Sequence, residues 1–136
     1  MEPPVLAAAV LAAGGADVVI VGSAGLRLHG LETPVRDLDI VPVPTSAGIR
    51  MLRQAFDALV PFDQWPEAPS VRSLPPIIRT DTSFGPVDVL VERGRVAYRS
   101  LLARSVAIEL LGVELTVASL ADVKELRGRF KEPTHE

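Results

Sequence analysis

Two aspartates separated by one residue form the segment of this chain that is best suited to chemistry. Asp37 and Asp39 alternate with Leu38 and Ile40. Because alternate residues of a β-strand point to the same face, this spacing places the two carboxylates side by side and turns the apolar side chains toward a core. Adjacent carboxylates repel each other unless a cation lies between them, and hard oxygen ligands suit Mg²⁺ or Mn²⁺. The pair therefore predicts a divalent-metal site.

A Gly-Ser turn precedes the acidic pair. Gly22 and Ser23 follow the apolar, β-branched run 18–21, which is typical of a buried strand that leads into a helix. Backbone N–H groups and the dipole at a helix N-terminus attract phosphate, so Gly22 and Ser23 are candidates for nucleotide binding. A structural turn is the alternative, with Gly permitting the backbone conformation and Ser capping the helix. A metal site together with phosphate contacts predicts phosphoryl or nucleotidyl transfer.

A third aspartate lies in a later segment that is otherwise apolar. Asp88 is flanked by Val87 and Val89. An unpartnered carboxylate in a buried strand costs several kcal/mol, so Asp88 should be paired, protonated or bound to metal. Three carboxylates can hold two divalent ions, and Asp88 could also take the proton from an attacking hydroxyl. A salt bridge to Arg79 on the neighbouring strand is the alternative.

Composition sets broad limits on the class of protein. The chain has 136 residues, 48% of them hydrophobic, and a formal net charge of −3. We expect a single domain over residues 1–136 with a substantial core and without a globally basic nucleic-acid surface. Cysteine is absent, which excludes disulfides, thiol nucleophiles and cysteine-ligated zinc. The histidines, His29 and His135, are too far apart in sequence to suggest a histidine metal site.

The apolar run 5–13 near the amino terminus resembles a signal sequence only in hydropathy. No Lys or Arg occurs before Arg27, and the run is too short to span a bilayer. It predicts a helix of a cytoplasmic protein that has no membrane segment.

Helical and strand patterns alternate along the rest of the chain. The expected strands are 17–22, 36–41, 77–82, 87–91, 106–110 and 113–117, and the expected helices are 23–29, 45–59, 95–103 and one that begins with a capping box at 119–122. Residues 61–76 predict an ordered, proline-rich loop in which Trp65 either fills a gap over the core, the favoured interpretation, or stacks on a base. This pattern predicts an α/β (α+β) domain in which helices cover a sheet.

Taken together, the motifs resemble those of the nucleotidyltransferases related to DNA polymerase beta. The matching segments are Val21-Gly22-Ser23, Asp37-Leu38-Asp39-Ile40 and Val87-Asp88-Val89, in that order and at that spacing. The segments 29–31 and 124–132 are similar to those of small bacterial members that include toxins of abortive-infection systems. The resemblance implies a nucleotidyltransferase fold with a mixed β-sheet, Asp37 and Asp39 as metal ligands, Asp88 completing the site, and Ser23 at the triphosphate.

The same resemblance implies a reaction. A nucleoside monophosphate would pass from an NTP to a hydroxyl of RNA, of a protein or of a small molecule, with Mg²⁺ or Mn²⁺ as cofactor. If the last helix packs beside the carboxylates, Lys124 would meet the triphosphate. Otherwise Lys124, Arg127, Arg129 and Lys131 form a solvated face.

An alternative function is a catalytically silent antitoxin or regulatory partner. Family members usually have Arg-x-Thr before the first acid, whereas this chain has Thr33-Pro34-Val35. Relatives also commonly continue with further helices that bind the acceptor. These differences, and an apolar first helix that could form an interface, suggest a toxin–antitoxin partner or a homo-oligomer.

Overall fold

The computed structural model describes residues 1–66, 68 and 70–131, without the side chains of 128–131. These residues form a six-stranded sheet and five α-helices, which confirms the predicted α+β class. The helices are α1 (Pro3–Ala13), α2 (Gly22–Leu28), α3 (Ser46–Phe56), α4 (Val91–Ala103) and α5 (Leu120–Lys131). The strands are β1 (Val18–Val21), β2 (Leu38–Pro42), β3 (Ile77–Thr82), β4 (Gly85–Leu90), β5 (Val106–Leu110) and β6 (Val113–Val117), with 3₁₀ turns at Asp57–Leu59 and Val71–Ser73.

The sheet is mixed, as the resemblance implied. Its strand order is β3-β4-β2-β1-β6-β5. The pairs β1–β2, β3–β4 and β5–β6 are antiparallel, whereas β2–β4 and β1–β6 are parallel. The parallel pairing of β2 and β4 joins segments that are about fifty residues apart in sequence, and it places Asp39 beside Asp88.

Helices cover both faces of the sheet because both faces are apolar along the central strands. On one face α1 and α3 pack over Ile40 and Val87, and on the other α4 and α5 pack over Val19 and Val41. Trp65 is 9% exposed and makes an edge-to-face contact with Phe56 at 5.1 Å between ring centroids, which confirms the gap-filling interpretation. Among the described residues, none of the helices combines the length and the apolar character needed to cross a bilayer.

The boundary of one helix was predicted wrongly. Helix α4 starts at Val91, directly after β4, and not near Arg95. Gly94 lies inside this helix, and a Cβ there would come within 2.5 Å of the Pro42 carbonyl oxygen. Glycine thus lets the first turn of α4 pack closely on β2. Strand β4 likewise ends at Leu90 and begins at Gly85, two residues earlier than expected.

The predicted helix caps are correct in part. Thr45 caps α3 by accepting a hydrogen bond from the Gly48 N–H at 3.0 Å. Ser119 Oγ accepts one from the Asp122 N–H at 3.1 Å, as in a capping box. The reciprocal half is absent, because the Asp122 carboxylate instead accepts two hydrogen bonds from Arg104. That ion pair ties the end of α4 to the start of α5.

Candidate active site

The three predicted carboxylates meet at one end of the paired strands β2 and β4. Asp39 and Asp88 are direct partners in the parallel register, and Asp37 lies two residues before Asp39 on the same face. One oxygen from each carboxylate lies within 4.8 Å of the other two, and all three residues are partly buried. Sequence alternation brought Asp37 and Asp39 together, whereas strand pairing brought Asp88 to them.

Arg79 lies across the antiparallel hairpin from Asp88. Its Nη1 donates hydrogen bonds to Oδ2 and Oδ1 of Asp88 at 3.0 and 3.2 Å, and it is 3.8 Å from Oδ2 of Asp37. The predicted alternative, an Arg79–Asp88 salt bridge, is therefore present together with the acidic cluster. The Arg79 side chain is 54% exposed, so this ion pair is strongly screened by water.

The electrostatics of the cluster disfavour three ionised carboxylates. Burial raises the pKa of Asp39 to about 7, with the charges of Asp37 and Asp88 adding to the effect. Burial also raises the pKa of Asp88, although the Arg79 guanidinium opposes this shift. Near neutral pH the cluster holds a proton readily, and a cation would compete for the same oxygens.

The donor set fits a hard divalent cation. It consists of carboxylate oxygens, it is partly buried, and the Arg79 guanidinium that pairs with it is largely exposed. Mg²⁺ and Mn²⁺ prefer such oxygen ligands and retain part of their water shell, which an open cluster permits. Asp37, Asp39 and Asp88 are thus suitable ligands.

Gly22 lies directly against the cluster. It has φ +69°, and a Cβ at this position would overlap the Asp39 carboxylate, with the Asp39 Cγ only 2.9 Å away. Both observations require glycine. Ser23 is 7% exposed and makes no side-chain hydrogen bond to any described residue. The N-cap position of α2 is Val21, without a side-chain cap, so the expected capping role of Ser23 is not observed.

A cleft of about 280 Å³ opens beside the carboxylates. Its walls are Val21, Gly22, Asp37, Asp39, Ile77, Asp88, Leu90, Leu126 and Arg127. We call it the acidic cleft. Ser23 is not in its wall, and Lys124 is exposed on another side of α5. The side chains of Arg129 and Lys131, and all of His135, lie outside the described residues.

Arg127 is the basic residue that packing selects for the acidic cleft. Val123 and Leu126 are buried and fix the orientation of α5, which places Arg127 at the cleft and Lys124 toward solvent. From the sequence, Lys124 and Arg127 were both expected on one basic face of the helix. Only the spacing of the buried pair, at i and i+3, could have distinguished them.

Arg27 and His29, near the end of α2, make different structural contacts, and only that of Arg27 reaches the loop before Asp37. Arg27 donates a hydrogen bond to the Thr33 carbonyl at 3.0 Å and pairs with Glu2 at 2.9 Å. Arg27 of α2 therefore holds the segment 33–35, in which the family motif Arg-x-Thr would have placed an arginine. His29 Nε2 is 2.7 Å from the Ala118 carbonyl oxygen, so its contact is structural and joins the end of α2 to the start of α5.

Comparison with known proteins supports the fold. No protein-family model and no curated protein sequence matches this chain. Among solved structures it is similar to a "putative nucleotidyltransferase" from Thermotoga maritima, with a TM-score of 0.60 and 18% sequence identity. The alignment covers 88% of this chain and 79% of that chain. At this identity the likeness shows the fold alone, so the chain has a nucleotidyltransferase-type fold and its function must be argued from the site.

Proposed function

We propose that residues 1–136 form a single-domain, cytoplasmic, metal-dependent nucleotidyltransferase. It would transfer a nucleoside monophosphate from an NTP to a hydroxyl acceptor and release pyrophosphate. The observation that carries this proposal is the group of three carboxylates from adjacent strands, with oxygens within 4.8 Å of one another, beside a glycine that leaves room at the cluster. The shared fold of the Thermotoga maritima protein supports it.

Asp37, Asp39 and Asp88 are the proposed ligands of Mg²⁺ or Mn²⁺. A divalent cation bound there would neutralise charge on the α-phosphate and lower the pKa of the acceptor hydroxyl. The acceptor oxygen forms a bond to the α-phosphorus while the bond to the bridging oxygen breaks, and that oxygen leaves with pyrophosphate. Asp88, which lies beside Asp39 in the cluster, accepts the hydroxyl proton. The remaining contribution of the protein is positioning and electrostatic stabilisation.

The nucleotide is proposed to lie in the acidic cleft. Gly22 permits a phosphate to approach the Asp39 side of the cluster, and Ser23 contributes its backbone N–H, since its side chain is buried. Arg127 faces the cleft and provides positive charge for the triphosphate. Lys124, three residues earlier on α5, remains a candidate for the outer phosphates.

Labelled nucleotide can test the reaction directly. The protein is incubated with each radiolabelled NTP, Mg²⁺ and a cell lysate, and the label is followed into RNA, protein and small-molecule fractions. We expect one fraction to be labelled by the wild type and not by Asp37→Asn. Equal labelling by both proteins, or no labelling with any NTP, would contradict the proposal.

A silent partner is the second candidate, and one observation favours it. The Arg79 guanidinium pairs with Asp88 and lies near Asp37, so it partly performs the neutralising role of a metal. Such a protein would act as an antitoxin, as a regulatory subunit or in a homo-oligomer. An adjacent gene for a helical toxin, together with a melting temperature unaffected by metal and NTP, would favour this function.

A further inference from the structure

Three clefts that share lining residues lie beside α4. A second cleft, of about 290 Å³, shares Ile77 and Leu90 with the acidic cleft and continues past Glu92, Arg93 and Val96. A third, of about 500 Å³, shares Val96 with the second and is also lined by Thr45, Arg95, Tyr98 and Arg99. We call these adjoining clefts the α4 path, and it begins at the carboxylates.

Beyond the acidic cleft, the α4 path is basic although the whole chain is acidic. Arg93, Arg95 and Arg99 line it, against Glu92, in a protein of net charge −3. Arg99 is exposed and makes no hydrogen bond or ion pair with any residue in the described ranges. Arg95 donates one hydrogen bond to the Val71 carbonyl, which holds its side chain in place. The local charge therefore suits a polyanion.

Apolar and aromatic surfaces alternate with these arginines. Ile77 is 50% exposed and Val96 is 82% exposed, and the Tyr98 ring lines the third cleft. Bases stack on aromatic rings such as that of Tyr98 and pack against apolar side chains, while arginines contact the backbone phosphates. From Val91 to Arg99 the helix rises about 12 Å, which suits an extended acceptor.

We propose that the acceptor is a single-stranded polynucleotide, whose terminal hydroxyl lies in the acidic cleft and whose preceding nucleotides follow the α4 path. This inference rests on the proposed nucleotidyl transfer and names its acceptor class. RNA and DNA present the same phosphates and bases, so the experiment must distinguish them.

Binding can be measured without catalysis. Fluorescence anisotropy is recorded with a 5′-labelled single-stranded 12-mer of RNA or of DNA, each with a free 3′-hydroxyl, in Mg²⁺ without NTP. We expect Arg99→Glu to weaken binding at least tenfold. The matched control is Arg50→Glu, which makes the same charge change at an exposed position of α3, on the opposite face of the sheet. This control should change affinity less than twofold. Tighter binding of one 12-mer identifies the natural acceptor.

Salt dependence provides a second readout. If Arg99 contacts one phosphate, Arg99→Gln should reduce the slope of log affinity against log salt by about 0.7. Absence of saturable binding by the wild type, or equal losses in the Arg99 and Arg50 variants, would overturn the α4 path. Labelling of a protein or of a small molecule by the Arg99→Glu variant at wild-type rate would overturn it as well.

A thermal-shift measurement with Mn²⁺ and NTP separates this inference from the proposed function. If the wild type does not bind the polynucleotide but NTP still raises its melting temperature, the proposed role of the α4 path is wrong. The proposed nucleotidyl transfer then stands. Arg99-dependent binding without any NTP shift overturns the acceptor role, because the polynucleotide is then bound by a protein that does not use nucleotide.

Discussion

Arg79 and Asp88 face each other across the β3–β4 hairpin, with Nη1 of the arginine 3.0 Å from Oδ2 of the aspartate. The same nitrogen is 3.8 Å from Asp37. A metal ion at the carboxylates would therefore meet a resident positive charge, and Arg79 must move toward solvent or toward a bound phosphate when the ion enters. Because its side chain is 54% exposed on an edge strand, such a movement is unobstructed on the solvent side.

Replacing Arg79 tests whether the guanidinium competes with metal. Arg79→Gln should bind Mn²⁺ several-fold more tightly than the wild type in the absence of nucleotide, since one repulsive charge is removed. Calorimetric titration measures the affinity for Mn²⁺. The control is Arg50→Gln, at an exposed position of α3. Unchanged or absent Mn²⁺ binding in Arg79→Gln would support the silent-partner function.

Replacing the carboxylates tests whether their mutual repulsion destabilises the metal-free protein. Asp39→Asn should stabilise the metal-free protein by about 1–3 kcal/mol at pH 8, because it removes a buried charge that two others repel. Asp88→Asn should have little net effect, since it loses a screened ion pair and relieves repulsion. Denaturant melts in chelator give both values. A loss of several kcal/mol at Asp88 would identify a structural salt bridge.

The raised pKa of Asp39 predicts a definite pH dependence. Its ordinary value is 3.8 and its folded value is about 7, so the folded protein binds the extra proton between these limits. The associated stability is fully present below the unfolded pKa and is lost as pH rises through 7. Urea melts at pH 5.5 and pH 8 should show this loss in the metal-free wild type. The loss should be smaller in Asp39→Asn, whereas equal losses would assign it to other groups.

The close approach at Gly22 predicts a costly substitution. Gly22→Ala requires a left-handed backbone and also overlaps Asp39, so it should destabilise by more than the roughly 1–2 kcal/mol of the backbone term alone and abolish metal binding. Gly30→Ala is the matched control, because Gly30 has φ +96° with no atom near its Cβ position. Melting curves with and without Mn²⁺ compare the two. Equal effects would show that contact with Asp39 is unimportant.

Arg127 and Lys124 can be distinguished by nucleotide affinity. Arg127→Ala should weaken NTP binding about tenfold, the loss of roughly one charge-assisted hydrogen bond. Lys124→Ala should weaken it less, since Lys124 is exposed away from the acidic cleft. Calorimetry with each NTP and Mg²⁺ measures both. A larger effect at Lys124 would mean that α5 changes its orientation when nucleotide binds.

Local features were readable from the sequence because they depend on neighbours within a few residues. The alternation of Asp37 and Asp39 with apolar residues follows from the two-residue period of a strand, and the Thr45 cap follows from side-chain chemistry at a helix start. The buried strands β1 and β2 were equally evident from their apolar, β-branched residues. Their order in the sheet was not.

Tertiary structure decided everything that depends on distant partners. Asp88 joins the cluster because β4 pairs in parallel with β2, and this choice of neighbour is not encoded in either strand alone. Arg127, not Lys124, lines the acidic cleft because Val123 and Leu126 set the rotation of α5 against the sheet. Three other features arise in the same way: the burial of the Ser23 side chain, the close approach of Gly22 to Asp39 and the position of Arg79. Packing and strand register act across the whole domain, whereas sequence periodicity acts only along the chain.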